Sequence, residues 1–264
     1  MRSFRLLKFI ALAAFFLLRA GADPVPVRHV QGYVRGFVIL RDLDDKILAS
    51  GDLIQNPVGN RVTAVLSLHF KDGSLYQETS VFSQRRIYQL LSYKQIQKGP
   101  AFKNAQTLSF NTAKGKVSIE STDKDGKIKT ISDQIALPPD LANGILATLL
   151  TDVDPKAETT LSMLVSTPKP RLVKLKISAT APDTFSIGGS AANATHYVIK
   201  IDIGGITGVA AKVVGKQPPP IHMWIAAGNA PVFLKSEAPL YEDGPTWRIE
   251  LASPTWPKGS SSKP

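Results

Sequence analysis

The four histidines of this 264-residue chain, His29, His69, His196 and His222, are the first residues to weigh for chemistry. An imidazole acts as general base beside a Ser, Thr or Cys nucleophile, or holds zinc together with other His or Cys ligands. Neither pattern forms locally. No two His fall within five residues of each other, H-E-x-x-H is absent and there is no cysteine. The stretch "GGSAA" at 188–192 lacks the closing Gly and the following helix of a nucleophile elbow. A Ser-His-Asp set would have to be assembled from separate strands, which leaves a hydrolase as a third reading. "IGGITGVAAKVVG" (203–215) is Gly-rich but has neither G-x-G-x-x-G nor a Walker Lys-Ser/Thr pair. It reads as two buried strands that approach closely through Gly. Asp123, Asp125 and Gly126 have the spacing of a calcium loop. However, Ser132 stands where the bidentate Glu is needed, and Lys124, Lys127 and Lys129 would repel a cation. The acid pairs Asp44-Asp45 and Glu242-Asp243 sit in turn-like sequence, where acids serve turn geometry. No catalytic residue, metal site or cofactor is therefore assigned, and the balance favours a non-enzymatic protein.

Apolar recognition is better supplied. Residues 222–257 hold all three Trp of the chain, with Phe233 and Tyr241. Aromatics at this density fill a core or line a pocket. In the pocket reading, Trp224, Phe233 and Trp247 contact a lipid-like ligand, and Leu141 and Ile145 cover it. In the core reading the same residues pack against one another.

The elements that must position these residues are mostly strands. In "RVTAVLSLHF" (61–70), Val62, Ala64, Leu66, Leu68 and Phe70 share one face, with Thr63, Ser67 and His69 on the other. "KDGS" then turns the chain, because Asp-Gly tolerates the positive φ of a tight hairpin. His69 is thus expected on a solvated face. The same alternation recurs in "GKVSIESTDKDGKIKTIS", "PRLVKLKIS", "HYVIKIDI", "IHMWIA", "APVFLKS" and "TWRIELA". In the last, Trp247, Ile249 and Leu251 point one way, and Arg248 and Glu250 point out or pair at the rim. Trp224 shares a face with His222, opposite Met223 and Ile225. The pattern predicts ten to thirteen strands in a single antiparallel curved sheet, a half-barrel or barrel. One segment breaks the period of two. In "LPPDLANGILATLLTDVDP", Leu141, Ile145 and Leu149 recur every four residues between prolines. This predicts a covering helix of about 10–12 residues within 139–151, with Gly144 costing it roughly 1 kcal/mol relative to Ala.

The first residues set the compartment. Arg2, Arg5 and Lys8 precede an unbroken apolar run at 9–18, and Ala20-Gly21-Ala22 supplies small residues at a cleavage site. This reads as a Sec-type signal peptide over 1–22, cleaved near Ala22, which sends the chain to the periplasm or the medium. A single β domain follows over 23–257, then a disordered tail over 258–264. The formal charge is +11. Most of the excess outside the leader falls within 61–130, with 12 Lys/Arg against 5 Asp/Glu. Outside the cytoplasm, such a region suits an anionic envelope surface. Without a basic-aromatic stripe it does not suit nucleic acid.

"KDGSLYQETSVFSQRR", "LPPDLANGILATLL", "TPKPRLVKL", "GKQPPPIHMWI" and "EAPLYEDGPTWRIELASPTWP" resemble signature blocks of an uncharacterised family of exported bacterial proteins. Together they span about 66–257. The resemblance carries no assigned activity. The expected architecture, a curved sheet with a short covering helix behind a signal peptide, is similar to LolA-like half-barrels that carry lipids or lipoproteins through the periplasm. By that likeness the chain would bind an apolar, lipid-like ligand. The alternative is an envelope interaction module with a filled core.

Overall fold

Every strand among the described residues joins one antiparallel sheet, seen in a computed structural model that describes residues 24–122, 125–166, 169–187, 190–204 and 217–252. The strands are β1 (Val34–Arg41), β2 (Ile47–Val58), β3 (Arg61–Phe70), β4 (Leu75–Gln84), β5 (Tyr88–Lys98), β6 (Ala105–Asn111), β7 (Lys116–Thr122) and β8 (Ile128–Gln134). After one short helix, α1 (Leu146–Leu150), come β9 (Thr159–Val165), β10 (Arg171–Ala179), β11 (Asp183–Ile187) and β12 (Ser190–Asp202). The last three are β13 (Ile221–Ala226), β14 (Phe233–Pro239) and β15 (Thr246–Leu251).

The order across the sheet is β8-β7-β6-β5-β4-β3-β2-β1-β15-β14-β13-β12-β10-β9, with β11 beside β12. Two meanders are thus joined where the first strand pairs with the last, Val38 opposite Leu251 and Leu40 opposite Ile249. β8 and β9 end the path, so the sheet is open. It nevertheless curls. The largest core cluster combines Phe82, Leu90, Phe110 and Ile119 of one arm with Leu161, Ile177, Ile199 and Met223 of the other. Leu141, Ile145, Leu149 and Leu150 lie in the same cluster. The α1 segment is therefore the wedge between two arms that face each other.

The opening hairpin forms as the residues dictate. Gly73 takes φ +85°, and the Asp72 carboxylate accepts the Ser74 N–H at 2.9 Å. His69 sits opposite Leu75 with its side chain exposed. Two expectations need correction. The sheet has fifteen strands rather than ten to thirteen, because residues 34–58 supply two and residues 183–202 supply a hairpin of their own. The helix is five residues long, not 10–12. Gly144 does not sit inside it but turns the chain at φ +66° ahead of it. A Cβ there would meet Ser80 Oγ at 2.1 Å and Tyr93 Cε2 at 2.7 Å, so the turn presses against the sheet where only Gly fits.

Residues 140–143 instead close an edge. Ala142 N–H donates to Ser162 O at 2.9 Å, and Ser162 N–H to Asp140 O at 3.2 Å. The Asn143 amide takes over at Leu164, donating to its carbonyl at 2.9 Å and accepting from its N–H at 2.8 Å. The edge of β9 is thereby covered, which removes a template for strand addition. At the other end of the chain, Val25 is buried, and Val27 N–H and Tyr88 N–H knit residues 24–27 to the β4–β5 turn. The buried Asp152 carboxylate accepts the backbone N–H of Arg28 at 2.8 Å and bonds the His29 ring. This segment begins next to the expected cleavage site, and it is held by the fold. Residues 1–22, the tail 258–264, Trp256, most of the 203–215 Gly-rich stretch and Asp123 lie outside the described residues.

Candidate functional site

The five apolar residues singled out by type are placed in three different clusters. Leu141 and Ile145 belong to the α1 wedge. Trp247 packs with Val38, Leu40, Leu68, Phe70, Tyr76, Phe102 and Ile249 in a second cluster at the β1–β15 seam. Its ring centroid lies 5.5 Å from that of Phe70 and 6.4 Å from that of Phe102. Phe233 is half-buried and touches both of these clusters. Trp224 belongs to neither, because it points to the opposite face of the sheet with Phe185, Ala194 and Leu234. The two Trp face opposite sides of the sheet, an outcome that the phase of the strands left open. All except Phe233 are buried, so these side chains meet core neighbours of their own clusters rather than an open volume.

Between the first two clusters the inner face is polar. Tyr76 and Tyr93 both donate their hydroxyls to the Glu78 carboxylate, at 2.7 and 2.6 Å. Burial, and then the Glu78 charge, push both phenols well above their usual range. Gln95 Nε2 donates to Gln97 Oε1 at 3.0 Å, Gln97 Nε2 to Asn104 O at 3.2 Å, and Gln55 Nε2 to Thr148 Oγ1 at 3.1 Å. An acyl chain threaded along this face would strip partners from a carboxylate and three amides, a cost of roughly 1–3 kcal/mol each. The signal was legible in "SYKQIQK", where Tyr93, Gln95 and Gln97 share a face and two of the three are amides.

The titratable groups gather on the outer face of β12–β15. His196 stacks flat on Trp224, 4.2 Å between centroids and 5° between planes, with Lys235 Nζ 4.1 Å from the Trp224 ring centroid on the neighbouring strand. Trp224 Nε1 donates to the Asp183 carboxylate. His196 Nε2 and His222 Nδ1 share a hydrogen bond at 2.9 Å, and the Thr180 hydroxyl meets His196 Nδ1 at 2.9 Å. A hydroxyl beside an imidazole invites a nucleophile–base reading. Both ring nitrogens of His196 are thus occupied, and burial, then the neighbouring His222, hold the imidazole down to about 4. Lys235 is buried and is held down to about 8 by the same desolvation. Further along, Glu250 is gripped by Arg41 Nε at 2.6 Å and Arg248 Nε at 3.2 Å, and Arg248 also pairs with Asp45. The expectation that Arg248 and Glu250 pair holds. The sequence did not reveal that Arg248 would be buried, or that His196 would reach His222, which depends on register between strands 26 residues apart. No group of three or more metal-ligating side chains occurs among the described residues.

Two open grooves remain. One, of about 400 Å³, lies between residues 136–138 and β10 and is lined by Ala136, Leu137, Pro138, Leu172 and Val173, with Ser162 and Lys174. Most of its wall is apolar, and Leu172 is exposed. At its polar end Lys174 Nζ bonds Ser162 Oγ at 3.0 Å, and that hydroxyl donates to the buried Asp140 at 2.9 Å. The second, of about 440 Å³, lies on the outer face of β4–β7 and is walled by hydroxyls and lysines. None of Leu141, Ile145, Trp224, Phe233 or Trp247 lines either groove. Comparison of the chain with family models, with curated proteins and with solved structures gave no match in any of the three.

Proposed function

We propose that the protein is an exported, non-enzymatic component of a bacterial cell envelope that binds a lipid-like ligand, and that the ligand lies in the groove between residues 136–138 and β10. The observation that carries this reading is exposed apolar surface in a concave setting. The groove's volume of about 400 Å³ lies within the range of small-molecule sites. An acyl chain against Leu137, Pro138 and Leu172 gains about 0.8 kcal/mol for each methylene buried. Lys174 at one end, with N–H donors beyond the one given to Ser162, offers a donor to a polar headgroup. Export rests on the leader-like residues 1–22.

The second reading is an interaction module without a small ligand. It is favoured by the packing of Trp224 and Trp247 into filled clusters and by the exposed Tyr33, just before β1, and Phe37, within it.

Native mass spectrometry of the protein recovered from an envelope fraction separates the two. The lipid reading expects a mature chain beginning near Asp23 with a bound acyl-containing mass, lost in Leu172→Asp. A mature chain free of lipid in every preparation contradicts it and leaves the interaction module.

A further inference from the structure

The outer face of β4–β8 is built from hydroxyls and unpaired lysines in register. One row across the strands reads Thr79, Lys94, Ser109, Ser118 and Ser132. The next reads Val81, Ser92, Asn111, Lys116 and Gln134. Thr79, Ser92, Ser109 and Ser118 are half-buried on the floor of the 440 Å³ groove, and Lys94, Lys114 and Lys116 are exposed around it. Lys114 is set by the β6–β7 turn, where its N–H donates to Asn111 Oδ1 at 3.1 Å. None of the three ammonium groups enters an ion pair among the described residues. By strand phase, Glu120 is the one acid on this face of β4–β8.

We propose that this face binds an acidic polysaccharide, with Lys94, Lys114 and Lys116 meeting its carboxylates and the Thr79, Ser92, Ser109 and Ser118 hydroxyls meeting its sugar hydroxyls. Lys94 and Lys116 stand two strands and one row apart, about 12 Å at the spacings of a sheet. That separation suits charges repeated along a polymer better than a single small anion. Hydroxyls alternate on the floor with carbon surface that includes Tyr93 and Phe110, so it offers hydrogen-bonding partners for sugar hydroxyls and apolar area for the faces of sugar rings. A bilayer surface would recruit the lysines but leave the hydroxyl rows without a purpose. Cations left exposed and unpaired cost the fold little, and they make association fast and salt-sensitive. The site is separate from the apolar groove on β10 and does not depend on a lipid binding there.

The test is binding of the full chain to polygalacturonate, with neutral dextran and phosphatidylglycerol vesicles as comparison probes. Wild type should bind polygalacturonate, release with rising salt and ignore dextran. The triple variant K94Q/K114Q/K116Q should weaken binding at least tenfold. K46Q/K103Q/K156Q removes the same charge from exposed positions elsewhere and should stay within about twofold. Leu172→Asp should leave the affinity unchanged, which keeps this result distinct from that of the apolar groove. Absence of polygalacturonate binding, equal losses in both triple variants, or tighter binding to the vesicles than to the polysaccharide would overturn the proposal.

Discussion

The aromatic strands β13–β15 and the groove on β10 are both apolar, yet only one of them is open. In β13–β15, each large ring has found partners: Trp247 among Phe70, Phe102 and Tyr241, and Trp224 between His196 and Lys235. On β10, Leu172 pairs with Leu164 across the strand but stays exposed, because residues 136–138 stand off from it and leave a groove. Aromatic density therefore reports where a core condenses. A binding surface arises where topology leaves apolar atoms without neighbours, and side-chain type alone does not locate it.

The largest effect expected within this comparison is at Trp247. Its truncation to Ala should cost about 3–5 kcal/mol of unfolding free energy, as for other buried aromatics. The folded fraction should keep its ligand affinity. Denaturant unfolding followed by an acyl-probe titration checks both, and a large affinity loss with little change in stability would make the seam cluster a pocket wall.

Glu250→Ala should come next, at about 3 kcal/mol, because it leaves Arg41 and the buried Arg248 without their shared carboxylate. Thermal unfolding measures it. A loss below about 1 kcal/mol would show that the arginines are solvated in the native state.

Acid should weaken the same face. His196 is held at about 4 by burial, by the neighbouring His222 and by Lys235, against the opposing Asp183 charge, while in the unfolded chain it titrates near 6.5. Between those values the unfolded chain binds a proton that the folded chain refuses, so stability falls as pH drops through about 6.5 toward 4. For Lys235, held at about 8, the same sign makes stability rise between about 8 and 10.4. His196→Phe keeps a ring on Trp224 and should flatten the acid limb of the unfolding midpoint against pH. An unchanged acid limb would assign it to other groups.

Much of this was legible in the residues. Alternation in "RVTAVLSLHF" and "TWRIELA", the Asp72-Gly73 turn and the inward phase of Trp247, Ile249 and Leu251 follow from local sterics and patterning, and the structure has them. The sheet order was not legible, because pairing β1 with β15 joins residues more than 200 positions apart without a local signature. The helix was overestimated because spacing at Leu141, Ile145 and Leu149 also suits a turn wedged under two sheet arms, and Gly144 carried that information. The groove was missed for a related reason. Leu137 and Leu172 look like ordinary strand residues until the connection from β8 to β9 is laid beside β10.

The smallest effects belong to the exposed positions. His69→Ala should change stability by about 0.5 kcal/mol or less. Leu172→Asp, on an exposed side chain, should cost about 1 kcal/mol or less.

That modest cost makes Leu172→Asp the most direct probe of the proposed ligand groove. The measurement is displacement of a fluorescent apolar probe by a long-chain fatty acid, in wild type, Leu172→Asp and Trp247→Phe. The account predicts competitive binding in wild type and Trp247→Phe, and loss of at least tenfold in affinity in Leu172→Asp with its unfolding midpoint nearly unchanged. Full binding by Leu172→Asp together with loss in Trp247→Phe would contradict it and place the ligand among the aromatic strands.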